Sequence, residues 1–159
     1  MFPTITLPCQ PIPVPKTPVQ SPVAGPDVYL RSVDQRVDTC VDHVIFGFRN
    51  SASAPPGYTI TYGSPPFAQD GSGTPIPVRG RAFIVVKVQP GYGFDFVTNQ
   101  PTYTGPRRIP FQRANHVTEV VETGDFEGVL TWVIGLDSKR SFSVEATGAP
   151  QTQLVVTVS

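Results

Sequence analysis

From Asp27 onward, the chain is divided into short apolar segments by glycine, proline, asparagine and aspartate residues. Apolar side chains in several of these segments recur at every second position, which is the period of a β-strand. No segment has apolar residues recurring every 3.6 positions over the length of a helix. The pattern therefore predicts an all-β fold.

Two segments show the strand pattern most clearly. Val41–Phe48 places Val44, Phe46 and Phe48 on one face, and Arg81–Val88 is apolar on both faces apart from Lys87. Short strands at fairly even spacing, joined by turn-rich loops, predict a β-sandwich of about eight mainly antiparallel strands. The predicted strands are Val28–Val33, Val41–Phe48, Tyr58–Tyr62, Arg81–Val88, His116–Glu122, Val129–Leu136, Phe142–Ala146 and Leu154–Val158.

Residues 1–26 differ from the rest of the chain, since they hold eight of the 19 prolines and almost no charge. Each proline fixes φ at about −65° and removes a hydrogen-bond donor, so we expect extended polyproline II rather than helix or sheet. We interpret the segment as a semi-rigid arm or linker, with a ligand for a proline-recognition domain as the alternative. This predicts a proline-rich extended arm, residues 1–26, followed by a β-sandwich domain, residues 27–159.

The two cysteines, Cys9 in the arm and Cys40 just before the second strand, predict a disulfide, with two free thiols as the alternative. In the chain-entropy model, closing a loop of about 30 residues would contribute roughly 3 to 4 kcal/mol. The bond would also hold the arm against the domain.

The first ten residues, MFPTITLPCQ, lack the positive and apolar regions of a secretory signal. Either the protein is cytosolic or a leader has been removed, and the expected disulfide favours the second alternative. We therefore expect a secreted or cell-envelope protein whose leader or anchor has been trimmed. Since small residues usually precede a lipid-anchored cysteine, LPCQ does not predict a lipid on Cys9, and a lipoprotein cysteine further upstream is left open.

The composition bears on the class of partner. Twelve basic and twelve acidic residues cancel, and the charged fraction is 15%, below the roughly 25% of typical soluble domains. This balance does not favour nucleic acid or an anionic membrane surface as a partner. The apolar fraction of 39% is too high for a disordered chain. The apolar runs are far shorter than the roughly 18 residues of a membrane span, so no span is expected.

Two predicted connections, Gly63–Gly80 and Gln89–Asn115, are longer than usual, and long loops often carry function. In the second, Tyr103 is expected to pack its ring on the sandwich and to present its hydroxyl at the surface. The turn that follows it projects Arg107 and Arg108, which could clamp a carboxylate or phosphate. As the alternative, one of them could pair with Asp125 or Glu127. We therefore expect a ligand-binding site in this region.

In the segment TGDFEGVLTWVIGLD, residues 123–137, an acidic turn with Asp125 and Glu127 leads into a strand that carries the only tryptophan. If residues 124–128 form a turn, Asp125 and Glu127 share one side and Phe126 is buried on the other. The carboxylates are interpreted as a salt bridge or turn cap, with ligand contact and acid/base catalysis as alternatives. Trp132 has the parity of Leu130 and Ile134, which favours a core residue over a platform for sugars.

Known catalytic arrangements are not predicted. His43 and His116, with two cysteines and one methionine, supply neither a copper ligand set nor a spaced zinc motif. The chain has no Gly-x-Ser-x-Gly motif, and Gly71–Gly73 lacks the lysine and helix of a phosphate-binding loop. Cys40 and His43 are interpreted as a disulfide partner beside a surface histidine. We expect no catalytic residue, metal or cofactor.

Several motifs in fixed order resemble one known family. PGYTITY, DGSGTPIPVRG, PTYTGPRR, GDFEGVLTWVIGLD and the closing QLVVTV strand resemble the actinobacterial AMIN-like domain family, usually found in secreted or lipid-anchored envelope proteins. The earlier VDHVIFGF is similar to that family's aspartate, basic residue and strand, with His43 where arginine is more usual. The resemblance covers about 130 residues. It implies an exported β-sandwich related in name to AMIN modules, noncatalytic domains that localise envelope proteins, in some cases by binding peptidoglycan.

We therefore expect a noncatalytic cell-envelope domain that binds cell-wall glycan, peptide or a partner protein. Its candidate ligand-binding residues are Tyr103, Arg107, Arg108, Asp125 and Glu127. Two alternatives belong to other classes: an envelope hydrolase using Asp125 and Glu127, and a structural module that binds a protein through a strand edge or aromatic patch. The expected partners are peptidoglycan or an envelope protein.

Overall fold

The computed structural model describes residue 3 and residues 9–49 and 53–159. It is all-β, because these residues form thirteen strands and no helix. Accordingly, no helix capable of crossing a membrane is found in them. The strands are β1 (Val19–Gln20), β2 (Val28–Asp38), β3 (Val41–Phe48), β4 (Tyr58–Gly63), β5 (Ala82–Val88), β6 (Gly91–Tyr92), β7 (Phe94–Asp95), β8 (Gln100–Pro101), β9 (Arg108–Pro110), β10 (Val117–Phe126), β11 (Val129–Leu136), β12 (Phe142–Thr147) and β13 (Gln153–Val158).

The strands form the two sheets of a sandwich. One sheet has six strands in the order β1-β4-β5-β11-β10-β9, and the other has five in the order β12-β13-β3-β2-β6. Neighbouring strands are antiparallel except β2 and β6, which are parallel. A separate two-stranded hairpin, β7-β8, lies in the connection between β6 and β9. The sandwich prediction is therefore consistent with the structure.

The core forms where the alternating apolar faces of the two sheets meet. Val44, Phe46 and Phe48 of β3 are at most 2% exposed, as their spacing predicts. Trp132 of β11 is 1% exposed, and its ring lies edge-on to Phe46 with 5.9 Å between ring centroids. Trp132 is therefore a core residue, as predicted. Burying a large apolar side chain of this kind contributes roughly 1.5 to 3 kcal/mol to stability.

All eight predicted strands are present, and β3 and β11 have the predicted bounds. Strands β2 and β10 extend further than predicted, to Asp38 and Phe126. The five additional strands, β1 and β6 to β9, each have two or three residues. Such segments are too short to show an alternating pattern. In addition, β1 and β6 pair with strands that are far away in sequence.

The arm is not polyproline II throughout. Val19 and Gln20 pair with Ile60 and Thr59 of β4, so the expectation of no sheet is wrong for these two residues. Proline is tolerated next to an edge strand, where one side of the backbone has no partner strand. The Ser21 N–H continues the pairing by donating to the Tyr58 carbonyl at 3.0 Å. Part of the arm prediction, for residues 1, 2 and 4–8, lies outside the described residues.

The predicted disulfide between Cys9 and Cys40 is present, with 5.7 Å between the Cα atoms. It joins the arm to the turn between β2 and β3. The interpretation of His43 as a surface residue is wrong. The residue is 9% exposed, and its ring nitrogens lie 2.9 Å from Thr157 Oγ1 and 2.9 Å from Asp38 Oδ2.

Asp42 of β3 links the five-stranded sheet to the start of β10 in the other sheet. The side chain is fully buried, and its Oδ1 accepts a hydrogen bond from the Asn115 N–H at 2.9 Å. Oδ2 accepts from the N–H groups of His116 and Val117 at 2.6 and 2.8 Å. Because buried N–H groups need acceptors, Asp42 fixes where the long connection ends and β10 begins.

Candidate functional site

A surface cleft of about 410 Å³ lies where β10 extends beyond its neighbour β9. Strand β9 pairs with β10 only as far as Val121, and the Glu122 N–H then donates to the Arg107 carbonyl at 2.8 Å. The loop between β4 and β5 approaches the end of β10, and the Asp70 N–H donates to the Thr123 carbonyl at 3.0 Å. The cleft is lined by Gln69, Asp70, Ile76, Arg107, Arg108, Val121, Glu122, Thr123, Gly124, Asp125 and Phe126.

The turn beside the cleft begins later than the sequence indicates. Gly124–Phe126 continues β10, and the reversal occurs at Glu127 and Gly128, where φ is 52° and 77°. Two positive φ values match the two-residue hairpin turns that suit the twist of β-strands. Phe126 is 48% exposed, so the expectation that it is buried is wrong. Glu127 does not line the cleft.

Asp125 has a structural contact of its own. Its Oδ2 accepts a hydrogen bond from the Gly93 N–H at 3.0 Å, which ties the β6-β7 connection to the end of β10. Partial burial raises the pKa of Asp125, while the Gly93 hydrogen bond and Arg107 act to lower it. The Asp125 carboxylate thus holds the backbone of Gly93 in place and also lines the cleft.

The two adjacent arginines have different environments. Arg108 Nη1 donates to Glu119 Oε2 at 2.5 Å, and its Nη2 donates to the Pro77 carbonyl at 2.7 Å. Glu119 is 2% exposed, so Arg108 neutralises a buried carboxylate. The side chain of Arg107 is 77% exposed, and its Nε lies 3.9 Å from Glu122 Oε1, beyond hydrogen-bond distance. Arg107 therefore has donors available for a ligand, whereas those of Arg108 bind protein atoms.

Glu122 is a cleft residue that the sequence analysis did not select. Its side chain is 10% exposed and accepts no hydrogen bond from any described residue. Burial raises the pKa of Glu122 to about 7, with Arg107 lowering it and Asp125 raising it further. A buried carboxylate without a donor is unfavourable, so Glu122 would gain from a hydrogen-bond donor that enters the cleft.

Tyr103 lies beside these carboxylates without lining the cleft. Its ring packs edge-on against Trp132, with 5.7 Å between centroids, and its hydroxyl donates to the Pro106 carbonyl. Burial raises the pKa of Tyr103, and the charges of Glu122 and Asp34 raise it further. The ring therefore packs on the sandwich as expected, and the hydroxyl supports the turn that projects Arg107.

The position of Asp70 depends on a glycine. A Cβ atom at position 124 would come within 1.9 Å of Asp70 Oδ2, so a larger residue would displace the Asp70 side chain from its place against β10. Asp70 Oδ2 also accepts a hydrogen bond from Thr131 Oγ1 at 3.3 Å. Gly124 thus allows Asp70 to form part of one wall of the cleft.

The sequence-selected residues are brought together in part. Arg107, Arg108 and Asp125 line one cleft, Tyr103 is adjacent, and Glu127 lies on the neighbouring turn. The sequence offered one signal for the missing acidic residues: Glu119 and Glu122 interrupt the otherwise apolar run VTEVVE. A charged residue inside an apolar strand usually has a specific partner or role. Asp70 carried no such signal, because acidic residues are common in turns.

The cleft offers an exposed guanidinium beside the carboxylates of Asp70, Glu122 and Asp125. This arrangement can bind a ligand that carries both a carboxylate and a hydrogen-bond donor such as an ammonium group. Across residues 9–49 and 53–159, no three His, Cys, Asp or Glu side chains are grouped so as to hold a metal ion.

Comparison with known proteins gives one finding. The family model described as the AMIN-like domain matches residues 29–159. No curated protein and no solved structure matches the chain.

Proposed function

Since this chain belongs to the AMIN-like domain family, we propose that it is a noncatalytic cell-envelope domain that binds peptidoglycan through the cleft beside β10. AMIN-like domains are generally noncatalytic modules that bind peptidoglycan or other envelope components. The family match starts at residue 29, which supports a division into an arm, residues 1–26, and a binding domain, residues 27–159.

The Cys9–Cys40 disulfide supports a location outside the cytoplasm. Disulfides persist in oxidising compartments and are rare in reducing ones. A domain in the envelope would meet peptidoglycan at high local concentration, so weak individual contacts could still hold it there.

The observation that carries the proposed site is an exposed arginine, Arg107, next to Glu122, a carboxylate that accepts no hydrogen bond from any described residue. The peptide stems of peptidoglycan carry free carboxylates and amines. Arg107, 77% exposed, would bind a stem carboxylate, and Glu122 would accept from a nearby amine or amide. Asp125 and Asp70 would complete the acidic side of the cleft.

The proposal predicts that Arg107→Ala weakens binding to purified peptidoglycan. Loss of one charge-assisted contact corresponds to roughly 1.5 to 3 kcal/mol, or about 10-fold to 100-fold in affinity. Sedimentation of the protein with sacculi over a concentration series measures this change. Arg81→Ala, which removes an exposed arginine outside the cleft, is the matched control and should bind like the parent.

Arg108→Ala is a separate comparison, because it leaves buried Glu119 without its cation. We expect this variant to lose roughly 2 to 4 kcal/mol of folding stability, somewhat less than a fully buried pair, since Arg108 is partly exposed. Equal retention of the parent and Arg107→Ala by sacculi, with both proteins folded, would exclude Arg107 as the ligand anchor. No retention of the parent would contradict peptidoglycan as the partner and leave an envelope protein to be sought by crosslinking.

The hydrolase alternative requires two carboxylates facing one substrate. Asp125 lines the cleft but Glu127 lies on the hairpin turn outside it, so this pair is not assembled as proposed from the sequence. Glu122, with its pKa raised to about 7, would be the more suitable acid. We expect no turnover of glycan or ester substrates by the parent protein. Turnover that disappears in Asp125→Asn would instead establish the hydrolase.

A further inference from the structure

The hairpin of β7 and β8 exposes apolar side chains at its tip. Phe96 is 74% exposed and Val97 is 93% exposed, although hydrogen bonds fix the backbone of the hairpin tip. Asp95 Oδ1 accepts hydrogen bonds from the Val97 and Thr98 N–H groups at 2.8 and 3.2 Å. Exposed apolar residues on a fixed support are typical of a contact surface.

Asp95 is held in turn by Arg49. Arg49 Nη1 donates to Asp95 Oδ2 at 2.8 Å, and this hydrogen bond, with those from Val97 and Thr98, lowers the pKa of Asp95 to about 2. The guanidinium also lies over the Tyr29 ring, 4.8 Å from its centroid. The hairpin is therefore tied to β2 and keeps its charged brace at any physiological pH.

Four aromatic rings form a continuous row at this position, which we call the aromatic row. Tyr29 stacks on Tyr92 with 5.5 Å between centroids, and Tyr92 lies 6.2 Å from Phe96. Phe96 lies 5.1 Å from Phe94. Because each ring supports the next, Phe96 presents its surface to solvent in a defined orientation.

The charge of the hairpin indicates the chemistry of its ligand. Asp95 is the only charged residue between positions 89 and 106, and Arg49 neutralises it. Binding to anionic lipid would require basic residues, which this stretch lacks. The other exposed side chains at the tip are the hydroxyl and amides of Thr98, Asn99 and Gln100. Aromatic faces flanked by neutral hydrogen-bonding groups complement a neutral, hydroxyl-rich ligand.

The aromatic row is connected to the cleft through the backbone of Gly93. Gly93, between Tyr92 and Phe94, donates to Asp125 Oδ2, and its carbonyl accepts from the N–H groups of Thr102 and Tyr103 at 2.9 and 3.2 Å. One backbone segment therefore fixes the rings relative to the carboxylates. A ligand with sugars and charged peptide branches could contact both surfaces at once.

We propose that the aromatic row is a glycan subsite in which Phe96 stacks on a sugar ring while the peptide branch reaches the cleft. This inference rests on the proposed function, and it names a different part of the ligand. The apolar face of a pyranose ring would cover Phe96, and Thr98, Asn99 and Gln100 would hydrogen bond to its hydroxyl and acetamido groups.

The test uses soluble, peptide-free oligomers of N-acetylglucosamine, with binding followed by NMR titration of the intact protein. Phe96→Ala should weaken binding about 5-fold, as expected from the loss of one stacking contact. Val97→Ala removes a neighbouring exposed apolar side chain outside the row, so it should bind like the parent. Phe96→Trp keeps an aromatic face and should retain binding.

The outcomes separate this inference from the proposed function. Failure of the parent to bind the oligomers, or equal binding by the parent and Phe96→Ala, overturns the glycan subsite. Either result leaves the effect of Arg107→Ala on sacculus binding to be judged independently. A third result is that the parent does not bind the oligomers but co-sediments with phosphatidylcholine vesicles, and that Phe96→Ala and Val97→Ala both reduce this co-sedimentation. That result would overturn the glycan subsite and identify a membrane surface as the ligand of the hairpin.

Discussion

At the scale of single residues, Glu122 shows how burial sets the pH response of the cleft. Its carboxyl is enclosed with Arg107, Asp125 and Tyr103 nearby, and burial raises its pKa to about 7. Arg107 is too far away to supply a hydrogen bond, so it offsets only part of the desolvation. A ligand that donates to Glu122 would favour the charged form and lower this pKa.

The raised pKa gives a pH-dependent prediction. Between the unfolded value of about 4.5 and about 7, folded Glu122 keeps a proton that the unfolded chain releases. The free energy of unfolding should therefore fall as pH rises through this window. Glu122→Gln, which is always neutral, should gain about 1 to 2 kcal/mol relative to the parent at pH 8 and little at pH 5.

Urea denaturation of both proteins at pH 5 and pH 8 measures this difference. Glu145→Gln on β12, where the side chain is exposed, controls for the loss of one charge. A stability difference between Glu122→Gln and the parent that is the same at both pH values would contradict the assignment to Glu122.

At the scale of elements, Asp42 holds one end of the sandwich together. It belongs to β3, and it accepts hydrogen bonds from three backbone N–H groups. These groups belong to residues 115–117, where β10 of the opposite sheet begins. In Asp42→Asn, one carboxylate oxygen becomes an NH₂ group. This group is a donor, and it would face N–H donors with no acceptor beside it. We expect a loss of roughly 3 to 5 kcal/mol, because the site is fully buried.

Chemical denaturation of Asp42→Asn measures this loss, with Asp34→Asn on exposed β2 as the matched control. Since the link sets the start of β10, the variant should also show increased amide exchange at residues 115–117. A loss below about 1 kcal/mol would mean that the two sheets are held by their apolar faces alone.

The elements that could be predicted from sequence are those with a local signal. The eight longer strands carry alternating or continuous apolar runs that are long enough to be located, and Trp132 has the parity of a core residue. Strands β1 and β6 could not be predicted, since each has only two residues and pairs with a strand far away in sequence. The same reason explains the site: adjacent Arg107 and Arg108 look equivalent until Glu119 is placed beside only one of them. Glu122 lines the cleft just beyond the last residue of β10 that pairs with β9, and that end point cannot be read from the sequence.

At the scale of the whole molecule, the arm is fastened to the domain at several points. The disulfide joins Cys9 to Cys40, the Ile12 N–H donates to Ser159 Oγ at 3.2 Å, and β1 pairs with the edge of β4. Strand β1 also covers an edge that could otherwise pair with another chain. The arm is therefore part of the folded structure from Cys9 onward.

Removal of the disulfide should lower stability by about 3 to 4 kcal/mol, because the bond restricts a separation of 31 residues in the unfolded chain. Urea denaturation of Cys9→Ser/Cys40→Ser against the parent measures the difference. Intact mass before and after reduction and alkylation first establishes that the parent is oxidised. Unchanged stability in the double variant, with an oxidised parent, would show that β1 and the Ile12 contact hold the arm equally well alone.

The position of the disulfide also decides how the molecule would respond to a mechanical load. A pull on residues before Cys9 passes through the sulfur atoms to Cys40, and so into the turn between β2 and β3. The disulfide closes the stretch from Cys9 to Cys40, which contains β1, into a loop, so the pull cannot extend this stretch while the bond is intact. A tether at this end would therefore pull directly on a turn of the five-stranded sheet rather than on β1 at the edge of β4.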